Sequence, residues 1–252
     1  MIQSVDRALR ILTVLQGARR MSLGEIAAAL GLPPSTVHGI IRTLLAHGMV
    51  QQERDSLRYR LGPATLRLGN VYLDTLELRS RVASWSAELA RRTGFAVRTG
   101  VLLLGDVVVV HHEPRPDGTR QMPEVGIVIP AHACALGKAL LAYDAEAAAQ
   151  VLAGPRRSMT GETVTGTAAL EAQLAEVRAT GIATEAEEAV LGECALASPI
   201  FDAFDGVVGA IGVVIPSTAW PAEPAVREAL RETARAISRE LGAPTWPGPR
   251  IA

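Results

Sequence analysis

GLPPSTVHGIIRTL, residues 31 to 44, decides how the N-terminal quarter of the chain is read. Proline has no N–H to lose in the first turn of a helix and its fixed φ already suits that turn, so Pro33 and Pro34 mark a helix start. Val37, Ile40, Ile41, Leu44 and Leu45 then keep the i, i+3, i+4, i+7, i+8 spacing of a core-facing stripe. Ser35, Thr36, His38, Gly39 and Arg42 fall on the other side, where a recognition helix meets base edges and phosphates. Just upstream, Ser22 followed by Glu25 forms a capping-box pattern, Ile26, Ala27 and Leu30 supply a short buried side, and Gly31 ends the segment. Two helices separated only by Gly31 and Leu32 make a helix-turn-helix.

Working outward, SVDRALRILTVLQG places Val5, Leu9, Leu12, Val14 and Leu15 at roughly helical spacing, with Gly17 as the stop. MVQQERDSLRYRLG, residues 49 to 62, changes period. It predicts two short strands about a turn at Arg54, Asp55 and Ser56, with Leu57, Tyr59 and Leu61 on one face and Arg58 and Arg60 on the other. A hairpin with arginines on its solvent side is a wing suited to a sugar-phosphate backbone. Residues 1 to 62 hold eight arginines against four acids, a charge of +4, although the whole chain carries -1. A basic module joined to an acidic remainder fits a polyanion-binding end and a second end with another task.

The chain has 252 residues, enough for two domains at roughly 100 to 200 residues each. The first ten residues carry Asp6, Arg7 and Arg10 and lack the apolar run of a secretory signal, and the longest charge-free run, residues 206 to 222, falls short of the roughly 20 apolar residues of a membrane span. The expected location is therefore the cytoplasm. Cys134 and Cys194 are too few for a disulfide framework. Lys138 is the one lysine among 25 basic residues, so a single arginine says little here.

From Pro63 to Gly94 the chain keeps helical character as two helices, with Leu66, Leu73, Leu76 and Leu78 able to form a dimer seam or to cap the next domain. Strand-like runs follow at VRTGVLLL, VVVVHHEP and VGIVIP, then helical stretches at ACALGKALLAYDAEAAAQVLAG and TAALEAQLAEVRATG, strands at CALASPIF and GVVGAIGVVIP, and a helix over AVREALRETARAISRELG. The fold class is α+β, with a largely antiparallel sheet in the second domain. The expected divisions are a DNA-binding domain over 1–62, a linking helix over 63–78, a second domain over 79–243 and a disordered tail over 244–252.

Motifs for chemistry are mostly missing. ALGKA lacks the leading glycine and the Ser or Thr of a phosphate loop, and neither GxSxG nor HExxH occurs. His111, His112, Glu113, His132, Cys134 and Cys194 could gather into a zinc site, but their spacing forces no cluster. No nucleophile or acid-base pair has interpretable spacing either, which weighs against catalysis, and no cofactor is expected; the alternatives to a DNA-binding regulator are a metal-sensing regulator and an enzyme with a DNA-targeting module. Ala133 to Gly137 puts small residues before a helix, which serves either an anionic ligand group or a tight helix start.

With AHACALGKALLAY at 131–143 and TGIATEAEEAVLGECALASPIFDAFDGVVGAIGVV at 180–214, together with the winged helix, the chain resembles the IclR family of bacterial transcriptional regulators. IQSVDRALRIL, STVHGIIRTL, LRLGNVYLD, VVVHHEPRPDGTRQ and ALGKALLAYD are similar to the actinobacterial regulators of glycerol operons within it. The resemblance implies a winged helix, a dimerising linker helix and a GAF-like effector domain. It also implies a homodimer, or a dimer of dimers, that represses or activates an operon from a palindromic operator with half-sites about 34 to 36 Å, or a multiple, apart. Matched to the family's effector contacts, Ala135 and Leu136 would offer backbone N–H groups and Glu185 an acidic contact. Cys194 lies one residue early and Ala195 stands where a cysteine is common, while Gly212 and Val214 replace two serines. These exchanges point away from a keto acid and toward a glycerol-derived phosphate such as glycerol 3-phosphate, with Arg98, Arg115, Arg120 and Lys138 as candidate partners.

Overall fold

The structure is a computed structural model and describes residues 1–247. It divides into two units, Met1–Thr75 and the chain from Leu76 onward.

The first unit runs α1 (Gln3–Ala18), α2 (Leu23–Leu30), α3 (Pro34–Ala46), β1 (Val50–Gln52), β2 (Tyr59–Leu61) and α4 (Pro63–Thr75). Ser22 Oγ accepts the Glu25 N–H at 3.3 Å and Glu25 Oε2 accepts the Ser22 N–H at 2.7 Å, so the capping box closes at both ends. Gly31 takes φ 64, a left-handed cap that lets α3 begin within three residues, at Pro34. Ile11, Leu15, Ile26, Leu30, Val37, Ile41, Leu44, Val50 and Tyr59 form one core. At about 1.5 to 3 kcal/mol for each large apolar side chain removed from water, that core is what holds three short helices together.

Two details correct the sequence pattern. On α1, Leu12, Val14 and Leu15 pack in or against the core together with Ala8 and Ile11, whereas Val5 and Leu9 remain 53% and 59% exposed, and Gly17 lies inside the helix. The helix is apolar on two stripes, and periodicity alone does not say which one faces inward. In the wing, Leu57 is exposed at φ 53 instead of sharing a face with Tyr59 and Leu61. The turn is longer than predicted: Leu57 N–H reaches Glu53 O, and Gln52 Nε2 reaches Leu57 O. Only three residues then pair on each strand, Val50 with Leu61, Gln51 with Arg60 and Gln52 with Tyr59.

The second unit runs α5 (Glu77–Thr93), β3 (Ala96–Leu103), β4 (Asp106–Glu113), β5 (Val128–Pro130), α6 (Ala135–Leu141), α7 (Ala145–Ala153), α8 (Thr167–Thr180), β6 (Ala183–Ala186), β7 (Glu193–Phe201), β8 (Val207–Pro216) and α9 (Pro224–Glu240). Its six strands pair antiparallel in the order β5-β4-β3-β8-β7-β6. Helices cover both faces. On β8, a Cβ at Gly209 would strike Leu78 of α5 and one at Gly212 would approach Leu136 of α6, and residues three apart on a strand point to opposite faces. The expected 63–78 linker is cut at Leu76, whose extended backbone separates α4 from α5, and Leu78 is buried in the second unit.

The predicted helical stretch after Ala133 breaks in two, because the Asp144 carboxylate accepts the Ala147 N–H at 2.9 Å and starts α7 afresh. Strand β6, four residues at the sheet edge, has no counterpart in the sequence reading. The expected tail also starts too early. Trp246 packs its ring on Gly181 and donates Nε1–H to Pro199 O at 3.0 Å, since an indole has both apolar area to bury and one donor to place. Residues 248–252 of that expected tail lie outside the described residues.

Candidate DNA-reading surface and effector cavity

Ser35, His38, Gly39 and Arg42 stand at i, i+3, i+4 and i+7 along α3 and are all exposed, with Thr36 half-buried at their margin. The opposite side of the helix, through Val37, Ile41 and Leu44, is locked into the core. Burial of one stripe therefore fixes which residues face outward. The Arg42 side chain makes no hydrogen bond or ion pair among the described residues, and a Cβ at Gly39 would meet nothing within 4 Å. In the wing, Arg60 approaches only Gln51 Oε1, at 3.4 Å, whereas Arg58 is held by Glu25.

In the second unit, Ala135, Leu136, Glu185, Cys194, Ala195 and Gly212 come together around one cavity, with Arg98, Ile129, Cys134, Ala189, Val190, Glu193 and Val214 also in its wall. The sheet brings them together. Glu185 pairs with Ala195 across β6 and β7, and Ala195 pairs with Val214 across β7 and β8. Arg98 pairs with Gly212 across β3 and β8, and α6 closes the face, buried on every side. The closeness is enforced by glycine: a Cβ at Gly137 would lie 2.1 Å from Ala131 O, and one at Gly212 2.6 Å from Leu196 O. As it stands the cavity measures about 20 Å³, room for roughly one water molecule. A larger neighbour of about 190 Å³ shares Arg98, Glu193 and Val214 with it and adds Arg115 and Gln121.

Its electrostatics are unusual for a buried site. Desolvation drives the Glu185 carboxyl up to about 7, although the N–H groups of Glu188 and Ala189 donate to Oε1 at 2.9 and 3.3 Å. Cys134 Sγ accepts the Gly137 N–H at 3.4 Å to cap α6, and burial lifts its thiol to about 12. Such a thiol stays neutral and is a poor nucleophile. Lys138, one of the candidate phosphate partners, is fully buried against the Glu188 carboxylate and lines neither cavity, so it is a structural ion and not a free cation. Arg120 lines neither cavity. Arg98 lines both, and Glu124 and Glu193 hold it; neither glutamate had been singled out from the sequence.

Burial lowers the pKa of both His111 and His112, so both rings are neutral at pH 7. The His132 ring binds Arg157 O at 3.0 Å. Among the described residues no three His, Cys, Asp or Glu side chains converge on a point, and no helix is long and apolar enough to cross a membrane. A wider cleft of about 470 Å³ opens beside the β3–β4 turn, but Arg156 in its wall is committed to the carbonyls of Val151 and Leu152 at the end of α7.

A winged helix with one polar helix face left open, joined in one chain to a domain that folds around a small internal cavity, defines a ligand-responsive DNA-binding protein. Residues 4–54 match the IclR helix-turn-helix domain and residues 70–239 the C-terminal domain of bacterial IclR transcriptional regulators. The chain belongs to the IclR family and is a transcriptional regulator, not an enzyme. It is 46% identical over 248 residues to the glycerol operon regulatory protein of Streptomyces griseus, spanning 96% of this chain and 97% of that one. To the Streptomyces coelicolor protein of the same name it is 43% identical over 247 residues, spanning 96% and 97%. Among solved structures, an IclR-type regulator from Silicibacter sp. TM1040 matches with a TM-score of 0.83 at 29% identity, covering 97% of this chain and 98% of that one.

Proposed function

We propose that this regulator controls a glycerol-catabolic operon from the cytoplasm, as a homodimer on a palindromic operator, and that a glycerol-derived metabolite in the effector cavity tunes its hold on DNA. The observation that carries the proposal is the pairing of whole-chain similarity to two glycerol operon regulatory proteins with a cavity whose wall offers both Arg98 and Glu185. An arginine answers a phosphate, and a carboxyl titrating near neutrality both donates to and accepts from hydroxyls. Ser35, Thr36, His38, Gly39 and Arg42 lie in the major groove, with Arg58 and Arg60 on the backbone. The dimer is supported by α4, which buries no residue and exposes Leu66, Leu68, Val71 and Tyr72.

Because the cavity is closed down to about 20 Å³, a metabolite must select an opened form, and its influence on operator binding is limited to its preference for that form. The test is a gel-shift titration on the promoter region of a glycerol-catabolic operon from the same genome, with glycerol 3-phosphate, glycerol, pyruvate, glyoxylate and aromatic acids added in turn. Glycerol 3-phosphate is expected to shift the operator midpoint and to raise the melting temperature by mass action. A response to an aromatic acid or a keto acid alone would overturn the glycerol assignment.

A further inference from the structure

We infer that Arg98 is the residue that recognises the effector's anionic group, and that Glu193 is the gate it displaces: a phosphomonoester of a short polyol takes the guanidinium edge now held by Glu193 and joins the two neighbouring cavities into one site. This rests on the effector proposal above and names the chemistry within it.

A guanidinium has two edges that can each grip a pair of oxygens. The Nε/Nη2 edge of Arg98 is fully taken by Glu124, with Nη2 to Oε1 at 2.8 Å and Nε on Oε2, and both side chains are only 17% exposed. The Nη1/Nη2 edge is different. One oxygen, Glu193 Oε2, serves both nitrogens at 3.3 Å each, and Glu193 is 39% exposed. A single long-range acceptor on a two-donor edge leaves it half satisfied, and a partly solvated carboxylate is cheap to release into water. A phosphate presents two oxygens at once.

The position of this pair supports the same conclusion. Arg98 and Glu193 stand in the shared wall of the 20 Å³ and 190 Å³ cavities, so turning Glu193 outward removes part of the partition. The larger cavity also contains Arg115, whose buried Nε has no hydrogen-bond partner among the described residues and lies 3.9 Å from Asp117. With Glu193 released, two arginines face the joined space while Glu124 continues to orient the first. Glu185, in the wall of the smaller cavity, is left for hydroxyl groups.

Isothermal titration and thermal shift on the full chain test this with glycerol 3-phosphate, glycerate, glycerol and inorganic phosphate. Glycerol 3-phosphate should bind the parent protein more tightly than glycerol does. Arg98→Met should weaken that binding about 30-fold or more, the size of a lost bidentate charged contact. Because Arg98→Met strands the buried Glu124, the double variant Arg98→Met/Glu124→Gln is measured beside it, and the same loss is expected in a protein that stays folded. Glu193→Gln should tighten binding about 3- to 10-fold by weakening the competing acid. Unchanged affinity in the double variant, or weaker binding after Glu193→Gln, would overturn the gate while leaving the effector proposal standing. If none of the four compounds shifts the parent protein, both fall.

Discussion

Arg58 of the wing lays both terminal nitrogens on the carboxylate of Glu25, Nη1 to Oε2 at 2.9 Å and Nη2 to Oε1 at 3.1 Å, and that same carboxylate accepts the Ser22 N–H that opens α2. The Ser22 backbone hydrogen bond first, and Arg58 after it, hold the Glu25 pKa below its ordinary value, so the carboxylate is ionised at neutral pH. The pair fastens the hairpin to the helix that precedes the recognition helix. It also means that the positive charge of Arg58 is already balanced before DNA arrives, whereas Arg60 faces no carboxylate among the described residues.

Arg60→Ala should therefore lower the slope of log affinity against log salt by about one unit, the mark of one lost phosphate contact. Arg58→Ala should lower it by clearly less, because binding DNA with that residue exchanges one ion pair for another. Operator titrations between low and physiological salt measure both. Equal slopes for the two variants would mean that Glu25 does not compete with the phosphate.

On α3, Arg42→Ala should weaken operator binding by about 1 to 3 kcal/mol while leaving affinity for random duplex almost unchanged, as expected for a base contact. Gly39 gives a sharper test because two effects oppose each other there. Open space around it in the free protein predicts that Gly39→Ala stabilises the winged helix by up to about 1 kcal/mol through helix propensity. If DNA approaches that face, the added methyl should at the same time weaken operator binding about tenfold, the size of one base contact. A variant that gains stability and keeps full operator affinity would place the DNA elsewhere.

What could be read from the sequence was what local spacing determines. The stripe of Val37, Ile41 and Leu44 fixed the outward face of α3, and the Ser22–Glu25 box and Gly31 bounded α2, because each depends on residues within one or two turns. Leu57 was misread because alternation cannot tell whether a turn continues one residue longer at positive φ. On α1 the spacing does not separate Val5 and Leu9 from Leu12, Val14 and Leu15, because all are apolar and only packing leaves the first two exposed. In the cavity, Glu185 and Gly212 could be matched to a family pattern, but the partners of Arg98 could not. Glu124 lies 26 residues away in a loop and Glu193 lies 95 residues away on β7, so nothing short of the folded sheet brings them together.

Trp246 falls in the stretch expected to be a disordered tail, yet its ring lies on Gly181 and its N–H bonds Pro199 O. Trp246→Ala should destabilise the effector domain by about 2 kcal/mol, less than a fully buried tryptophan because this one is only half-buried. Trp246→Phe keeps much of the ring area and loses the hydrogen bond, so about 1 kcal/mol is expected. Urea unfolding of the domain, with a chain ending at Ala243 as the reference, ranks the three. An unchanged midpoint for that shortened chain would return the segment to the status of a tail.

Glu185 makes stability depend on pH in the direction opposite to most carboxylates. Burial raises its pKa in the folded chain from an ordinary 4.5 to about 7. Between those values the folded protein keeps a proton that the unfolded chain releases, so stability from this group is present below about pH 4.5 and is lost as pH rises through 7. The loss between pH 5 and pH 8 should reach about 2 to 3 kcal/mol, taking roughly 1.4 kcal/mol per pH unit. Glu185→Gln has no proton to lose, and its side-chain oxygen can still accept the Glu188 and Ala189 N–H groups that Oε1 now accepts. Denaturant unfolding of parent and variant at pH 5, 6, 7 and 8 should give curves that separate with rising pH, with the variant gaining on the parent most steeply between about pH 5 and 7 and levelling off above that. Parallel curves would mean that the carboxyl is solvated in the free protein, and that the cavity stands open before any ligand enters.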